Sequence, residues 1–315
     1  MSVLPFNSQW KLENWPAACS TPGMLRAGRS HPGILALLVL LAALPALCGT
    51  TVSGALDRSG ESLLKDHLLV TWYGNPHTTL MGVLGQSSGD ARAADLLRHA
   101  DGFRSLTPKT VLPAYHLVTV VAQPHAGGDG MYRRRESADS IRALLTEARA
   151  HGFHLVLDIQ PGRSDVESEI AYLRPFLREP DVHLALDPEF DMSEGQVPGR
   201  ELGHMHAADV NAAIAFLDAL ITECRLPPKA LVVHQFTLGM LPDKEKIKYG
   251  RAVDLVLDMD GFGSRALKLS SYRAVMRQRP LQFAGIKLFF RQDRDLLSPA
   301  RVMGLSPTPS VVIYQ

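Results

Sequence analysis

Between positions 67 and 314 the chain repeats one unit, a short apolar segment rich in β-branched residues followed by a stretch of helical spacing, and this repetition restricts the fold more than anything else in the sequence. Such alternation argues for a parallel sheet with crossover helices, because each helix returns the chain to the same end of the sheet. Strands are predicted at 67–73, 116–122, 154–159, 183–187, 230–235, 254–259, 283–289 and 310–314. Helices are predicted at 91–99, 138–150, 166–177, 207–223, 243–249, 266–277 and 298–303. Ser137 and Asp139 mark a helix start, and Gly152 or the pair Pro227 and Pro228 mark helix ends. Eight strands and seven helices over about 250 residues match a closed α/β barrel, the (β/α)8 or TIM-barrel architecture, better than an open doubly wound sheet. No GxGxxG follows the first strand, so a dinucleotide-binding fold is the weaker alternative. Gln315 comes directly after the eighth strand, so the eighth helix is expected to be missing, with the segment 60–66 covering either that gap or the barrel floor.

The region ahead of the first strand carries an address. From Met24, Arg26 and Arg29 precede an apolar run at 34–44, then Pro45 and small residues. That is the order of charged region, apolar region and cleavage zone in a secretory signal peptide. The run is short of the roughly 20 apolar residues that span a bilayer, so cleavage and export to an extracellular or cell-surface location are expected. Two alternatives stay open, a retained anchor and a lipoprotein lipidated at Cys48; the second is opposed by Leu47, which stands where a small residue is usual. Only these would tie the protein to a membrane. Positions 1–23 fit neither pattern and read as an upstream extension, with Met24 as the natural start. The chain thus divides into a leader region at 1–55 and one barrel domain at 56–315.

Charge and cysteine content exclude several classes. Lys plus Arg is 33 against 32 for Asp plus Glu, so no net field draws in nucleic acid, and the only basic concentration is Arg133 to Arg135. Cys19, Cys48 and Cys224 match neither a zinc site nor a disulfide framework. Cys224 sits in an apolar helical pattern and reads as a packed residue. No cofactor is expected.

In a barrel of this type the active site is built where the strands end. Three strands end alike: one in Asp158 and Gln160, one in Asp187, Glu189 and Asp191, one in Asp258 and Asp260. Because side chains alternate along a strand, each pair two apart shares a face and can point into the mouth together. The competing account makes these acids helix caps or partners of Lys287 and Arg291; Asp165 and Asp191, further into loops, read as ordinary loop or cap residues. Other strand ends add Trp72, Tyr73, Asn75 and His77; Gln123 and His125; His234, Gln235 and Phe236; and Tyr314 with Gln315. Acids, amides and rings together suit a sugar, whose hydroxyls take hydrogen bonds and whose ring faces stack. The glycine-rich loop at 127–130 lacks the Gly-Lys-Ser/Thr ending of a phosphate cradle and reads as a surface loop.

The sequence Asp187-Pro188-Glu189 at the end of strand four resembles the Asp-x-Glu that closes the same strand in muramidase-type and chitinase-type glycoside hydrolase barrels. The resemblance implies that Glu189 is the general acid and that Asp187 supports it or a substrate-derived intermediate. It is partial: Val182 and Ala185 stand where chitinases carry further acids, and no strand-one acid of the muramidase kind occurs near 74–77. On this reading Glu189 protonates the leaving oxygen while Asp187, Asp258 or Asp260 acts as nucleophile, base or electrostatic partner, with Asp158 beside them and a carbohydrate as partner. Two other classes remain. A metal-dependent hydrolase would use His125, Asp158, His234 and Asp258 as ligands, although no HExxH occurs and the His-x-His at His204 and His206 precedes a helix in a solvated setting. The third is a non-catalytic barrel that binds carbohydrate or serves as a cell-surface scaffold.

Overall fold

The computed structural model describes residues 61–315, so the expected leader and extension lie outside the described residues. Eight strands run parallel: β1 His67–Gly74, β2 Thr110–Ala122, β4 His154–Ile159, β5 Val182–Leu186, β6 Lys229–Gln235, β7 Val253–Met259, β8 Phe283–Leu288 and β9 Val311–Tyr314. β1 pairs with both β2 and β9, which closes the sheet into a barrel. The short β3, Arg133–Arg135, lies antiparallel to the end of β2. Helices α1 Gly89–Arg104, α2 Ala138–Ala150, α3 Val166–Leu177, α4 Ala207–Cys224, α5 Arg265–Met276 and α6 Pro299–Met303 connect the strands. Among the described residues no helix is long and apolar enough to cross a membrane.

Strand alternation sorts the core into two layers. Leu155, Leu157 and Ile159 of β4, with Leu255 and Leu257 of β7, face the helices in the larger cluster; Val156 and Val256 face inward with Leu69, Ala185, Val232 and Ile313. Three helices start at side-chain caps: Ser137 accepts from the Ser140 amide, Asp165 from that of Ser168 at 2.7 Å, and Ser264 from that of Leu267. Asp165 is thus the cap residue expected. The barrel floor is stopped by the segment ahead of β1, where Leu64 joins the interior cluster and Asp254 accepts from the Leu64 amide at 2.8 Å and the Ser62 hydroxyl at 3.1 Å.

Two expectations need correction. β2 begins at Thr110, six residues before the predicted start, because pairing in register with all of β1 carries it through Pro113 and Tyr115. The helix predicted at 243–249 is instead a single 3-10 turn, Lys244–Lys246, followed by extended chain. Tertiary bonds take its groups: Asp243 accepts from the Ala207 amide, Asn211 binds the Lys246 carbonyl and Lys248 amide, and Lys244 is drawn inward onto Gln235 and the Val275 carbonyl. The basic run is likewise consumed internally. Arg133 and Arg135 both grip buried Glu169, at 2.8 and 2.7 Å, fastening β3 to α3, and Arg134 reaches Glu136 at 2.9 Å.

Truncating Leu64, fully buried at the floor, is expected to cost about 2–5 kcal/mol. Urea unfolding of Leu64→Ala checks this, and a loss under about 1 kcal/mol would mean the segment is not part of the cooperative core.

Candidate active site at the barrel mouth

Along each strand the inward positions are apolar low in the barrel and turn polar toward the carboxyl end. Asp187 and Asp260 follow β5 and β7 directly, and Glu189 sits in the 3-10 turn Pro188–Phe190. All three carboxylates line one cavity of about 120 Å³, with Tyr73, Gln160, Phe289 and Lys287 among its other walls. Glu189 is only 6% exposed and Asp187 2%. The Glu189 turn is held on two sides, by the Gly203 amide on the Glu189 carbonyl at 2.8 Å and the Gly162 amide on the Phe190 carbonyl at 2.9 Å. Gly203 is needed for that approach, since a Cβ there would lie 2.4 Å from the Asp191 carbonyl oxygen.

Burial dominates the electrostatics. It raises the Glu189 carboxyl well above the ordinary range, and the neighbouring charge of Asp187 adds to the effect. Burial likewise pushes Asp187 up to about 7. Gln160 donates to Asp187 Oδ2 at 3.3 Å, while Asp187 Oδ1 and Glu189 Oε2 are buried without a protein partner. Two acids kept from ionising together give a pair in which one holds a proton and the other can carry charge.

One layer lower a second cluster crosses the barrel. Thr71 Oγ1 lies 3.3 Å from His116 Nδ1, His116 Nε2 lies 3.5 Å from Asp158 Oδ2, and the same oxygen lies 3.4 Å from His234 Nε2. His234 Nδ1 meets Asp258 Oδ2 at 2.9 Å. All of these side chains are fully buried. Burial lowers His116 to about 4. At Asp158 burial acts upward but is outweighed by His234 and His116, which hold the carboxyl below its ordinary value. At His234 burial acts downward and is outweighed by Asp158, which raises the imidazole well above its usual range. Tyr73 roofs the cluster, edge-on to His116 at 4.9 Å and to His234 at 6.1 Å between centroids, and the Lys287 ammonium lies 3.5 Å from its ring centre.

The mouth therefore gathers Glu189, Asp187, Asp260, Gln160, Tyr73 and Lys287, with Asp158, His234 and Asp258 beneath. Several expected ligand-binding residues lie elsewhere. Trp72 and Tyr314 take the outward phase of their strands and pack against each other, His99 and Phe290. Gln235 also takes the outward phase and binds Lys244. Asn75 is spent on Glu136 at 2.9 Å, and Gln123 on the Ala122 and Val121 carbonyls. His125 and Arg291 are exposed in loops. His116 escaped the sequence reading because β2 was started there; with the strand begun at Thr110, its phase with Ala114 and Val118 marks it as inward. Phe289, Gln292 and Met81, also on the cavity wall, carry no signal beyond their place near strand ends.

The structure thus defines a (β/α)8 barrel with an acidic cavity at the carboxyl end of its strands. No family profile and no curated protein matches the sequence. Among solved structures, the chain is similar to the cellulose synthase subunit Z of Clostridioides difficile, with 7% identity and a TM-score of 0.44 over 79% of this chain and 91% of that one. It is similar to a hyperthermophilic endo-beta-1,4-glucanase at 7% identity and 0.41 over 79% and 88%, and to the UMP synthase of Leishmania donovani at 15% and 0.35 over 82% and 49%.

Gly285 faces Asp258, where an added Cβ would lie 2.7 Å from Asp258 Oδ1 and 3.0 Å from its Cβ. Gly285→Ala is expected to push Asp258 off His234 and to lower stability by about 1–3 kcal/mol, the usual result of overpacking. Denaturant unfolding with imidazole nitrogen shifts reads both effects; an unchanged His234 spectrum would show that the strand yields instead.

Proposed function

We propose that the protein is an exported glycoside hydrolase that cleaves a poly- or oligosaccharide by carboxylate acid–base catalysis, with Glu189 as general acid. One observation carries the reading: Glu189 and Asp187 line one cavity at the barrel mouth, and burial raises both carboxyls above the ordinary range. A glycosidic oxygen leaves only when protonated, so the acid must hold its proton near neutrality, and burial achieves that. Glu189 delivers the proton; Asp187, when ionised, or Asp260 supports the positive charge that grows on the sugar ring or activates the entering group. Tyr73 and Phe289 supply ring surfaces for apolar sugar faces, and Gln160, Gln292 and Gln315 supply amides for hydroxyls. Lys287 supplies a fixed positive charge at the cavity wall. Export is supported by the charged, apolar and small-residue order at 24–55.

The test compares reducing-end release from a panel of cell-wall and storage polysaccharides by the protein and by Glu189→Gln, which keeps shape and removes the acid. Loss of general acid catalysis is expected to lower the rate by about 100- to 10,000-fold with folding unchanged. No turnover by the parent protein, with retained sugar binding, would replace the reading with a carbohydrate-binding barrel.

The raised carboxyls fix the sign of two pH dependences. Activity needs the protonated acid, so the rate is expected to fall as pH rises through the raised pKa of the pair. In stability, a carboxyl raised on folding contributes fully below its unfolded value and loses that contribution as pH climbs through the folded one. For Asp187 that window runs from about 4 to about 7. Asp187→Asn is expected to show a smaller fall in melting temperature across this window than the parent, and equal slopes would remove Asp187 from the account.

A further inference from the structure

We propose that the barrel interior holds a divalent transition-metal site of the zinc type, formed by His116 Nε2, His234 Nε2 and Asp158, one layer beneath the acidic cavity. The three ligand atoms lie within 4.8 Å of one another on fully buried side chains. His116 Nε2, His234 Nε2 and both oxygens of Asp158 have no hydrogen-bond partner in the protein, although all four are buried. Orphaned polar atoms are costly there, and four of them on three facing side chains mark a place where something binds. The outer nitrogens are already committed, His234 Nδ1 to Asp258 at 2.9 Å and His116 Nδ1 to Thr71 at 3.3 Å. When Asp258 accepts from Nδ1, the Nε2 lone pair of His234 faces the Asp158 carboxylate, an arrangement that repels unless a positive species stands between them. Outer partners of this kind orient the imidazoles of metal sites.

Distance separates a cation from a proton. The contacts of Asp158 Oδ2 with the two Nε2 atoms are 3.4 and 3.5 Å. Charge-assisted hydrogen bonds close to about 2.7–2.9 Å. Two ligands on a tetrahedral ion, each roughly 2.0–2.1 Å from it, stand about 3.4 Å apart. The acids of this layer, Asp158 and Asp258, are both fully buried, each against an imidazole. Imidazole with carboxylate suits zinc among common divalent ions. The ligand set expected for a metal hydrolase is thereby replaced: His125 is exposed, Asp258 stands behind His234, and His116 takes the vacant role.

The probe is Zn²⁺ itself, offered to the purified mature protein after chelator treatment, with binding followed by calorimetry, melting temperature and elemental analysis. One tightly held ion per chain and a raised melting temperature are expected. Asp158→Asn is expected to abolish tight binding, and Asp258→Asn to weaken it by about 10- to 100-fold through the outer shell. A double His204→Asn, His206→Asn variant guards against a surface site, since those rings lie 5.5 Å apart near the start of α4; it is expected to keep the ion. No bound zinc in the parent protein, or binding lost only in the His204 and His206 variant, overturns the proposal without recourse to any mutant in the barrel. Neither result bears on sugar hydrolysis, which Glu189→Gln tests separately.

Discussion

Asp158 stands in the middle of a closed barrel with an imidazole on either side, out of reach of water, and the chemistry above it is arranged around that buried charge. An isolated carboxylate in such a place would neutralise itself or unfold the site. Here it is held by His116 and His234, and His234 is in turn held by Asp258, whose own space exists because position 285 has no Cβ. The sheet supplies the alignment: β6 and β7 pair His234 directly with Asp258, so the contact is fixed by backbone register and not by a flexible loop.

The same register explains why the acidity at the mouth is graded. The Asp158 layer is set within the strands β2, β4, β6 and β7, whereas Asp187 and Glu189 lie at and just beyond the end of β5. Their burial comes from the wall of the cavity and from loops folded over the Glu189 turn, with Gly203 and Gly162 bringing two backbone segments onto it. A carboxyl that is buried yet unbonded keeps its proton at a pH where an exposed one would have lost it. The two layers thus shift in opposite directions, Asp158 lowered against its burial by His234 and His116 and Glu189 raised by desolvation.

Much of this was legible in the sequence, and what was missed has a physical pattern. The alternation of apolar segments and helical spacing gave the barrel, and the acids that break the apolar runs at Asp158, Asp187 and Asp258 marked the inward phase at the strand ends. Phase was where the reading failed. The chemistry of Trp72, Gln235 and Tyr314 suits a binding site, yet each lies one position from an inward neighbour and therefore faces the helices. His116 was lost for the complementary reason: β2 starts early to match β1 and carries a register shift between Val118 and Val120, neither of which a propensity reading detects. The false helix at 243–249 failed because its polar groups are claimed by α4 and β6 from outside the segment, which no local pattern records.

Tyr73 is the side chain that joins the two layers. Its ring lies edge-on to His116 and beneath the Lys287 ammonium, and it also lines the cavity, so anything bound above shares a wall with the histidine–aspartate cluster below. That position makes the lower layer a source of field as well as of rigidity. After burial and the opposing pull of His234, the charge of Asp158 is among the influences that raise the Asp187 carboxyl. The lower layer thus contributes both to the shape of the cavity floor and to the field in which Asp187 stands.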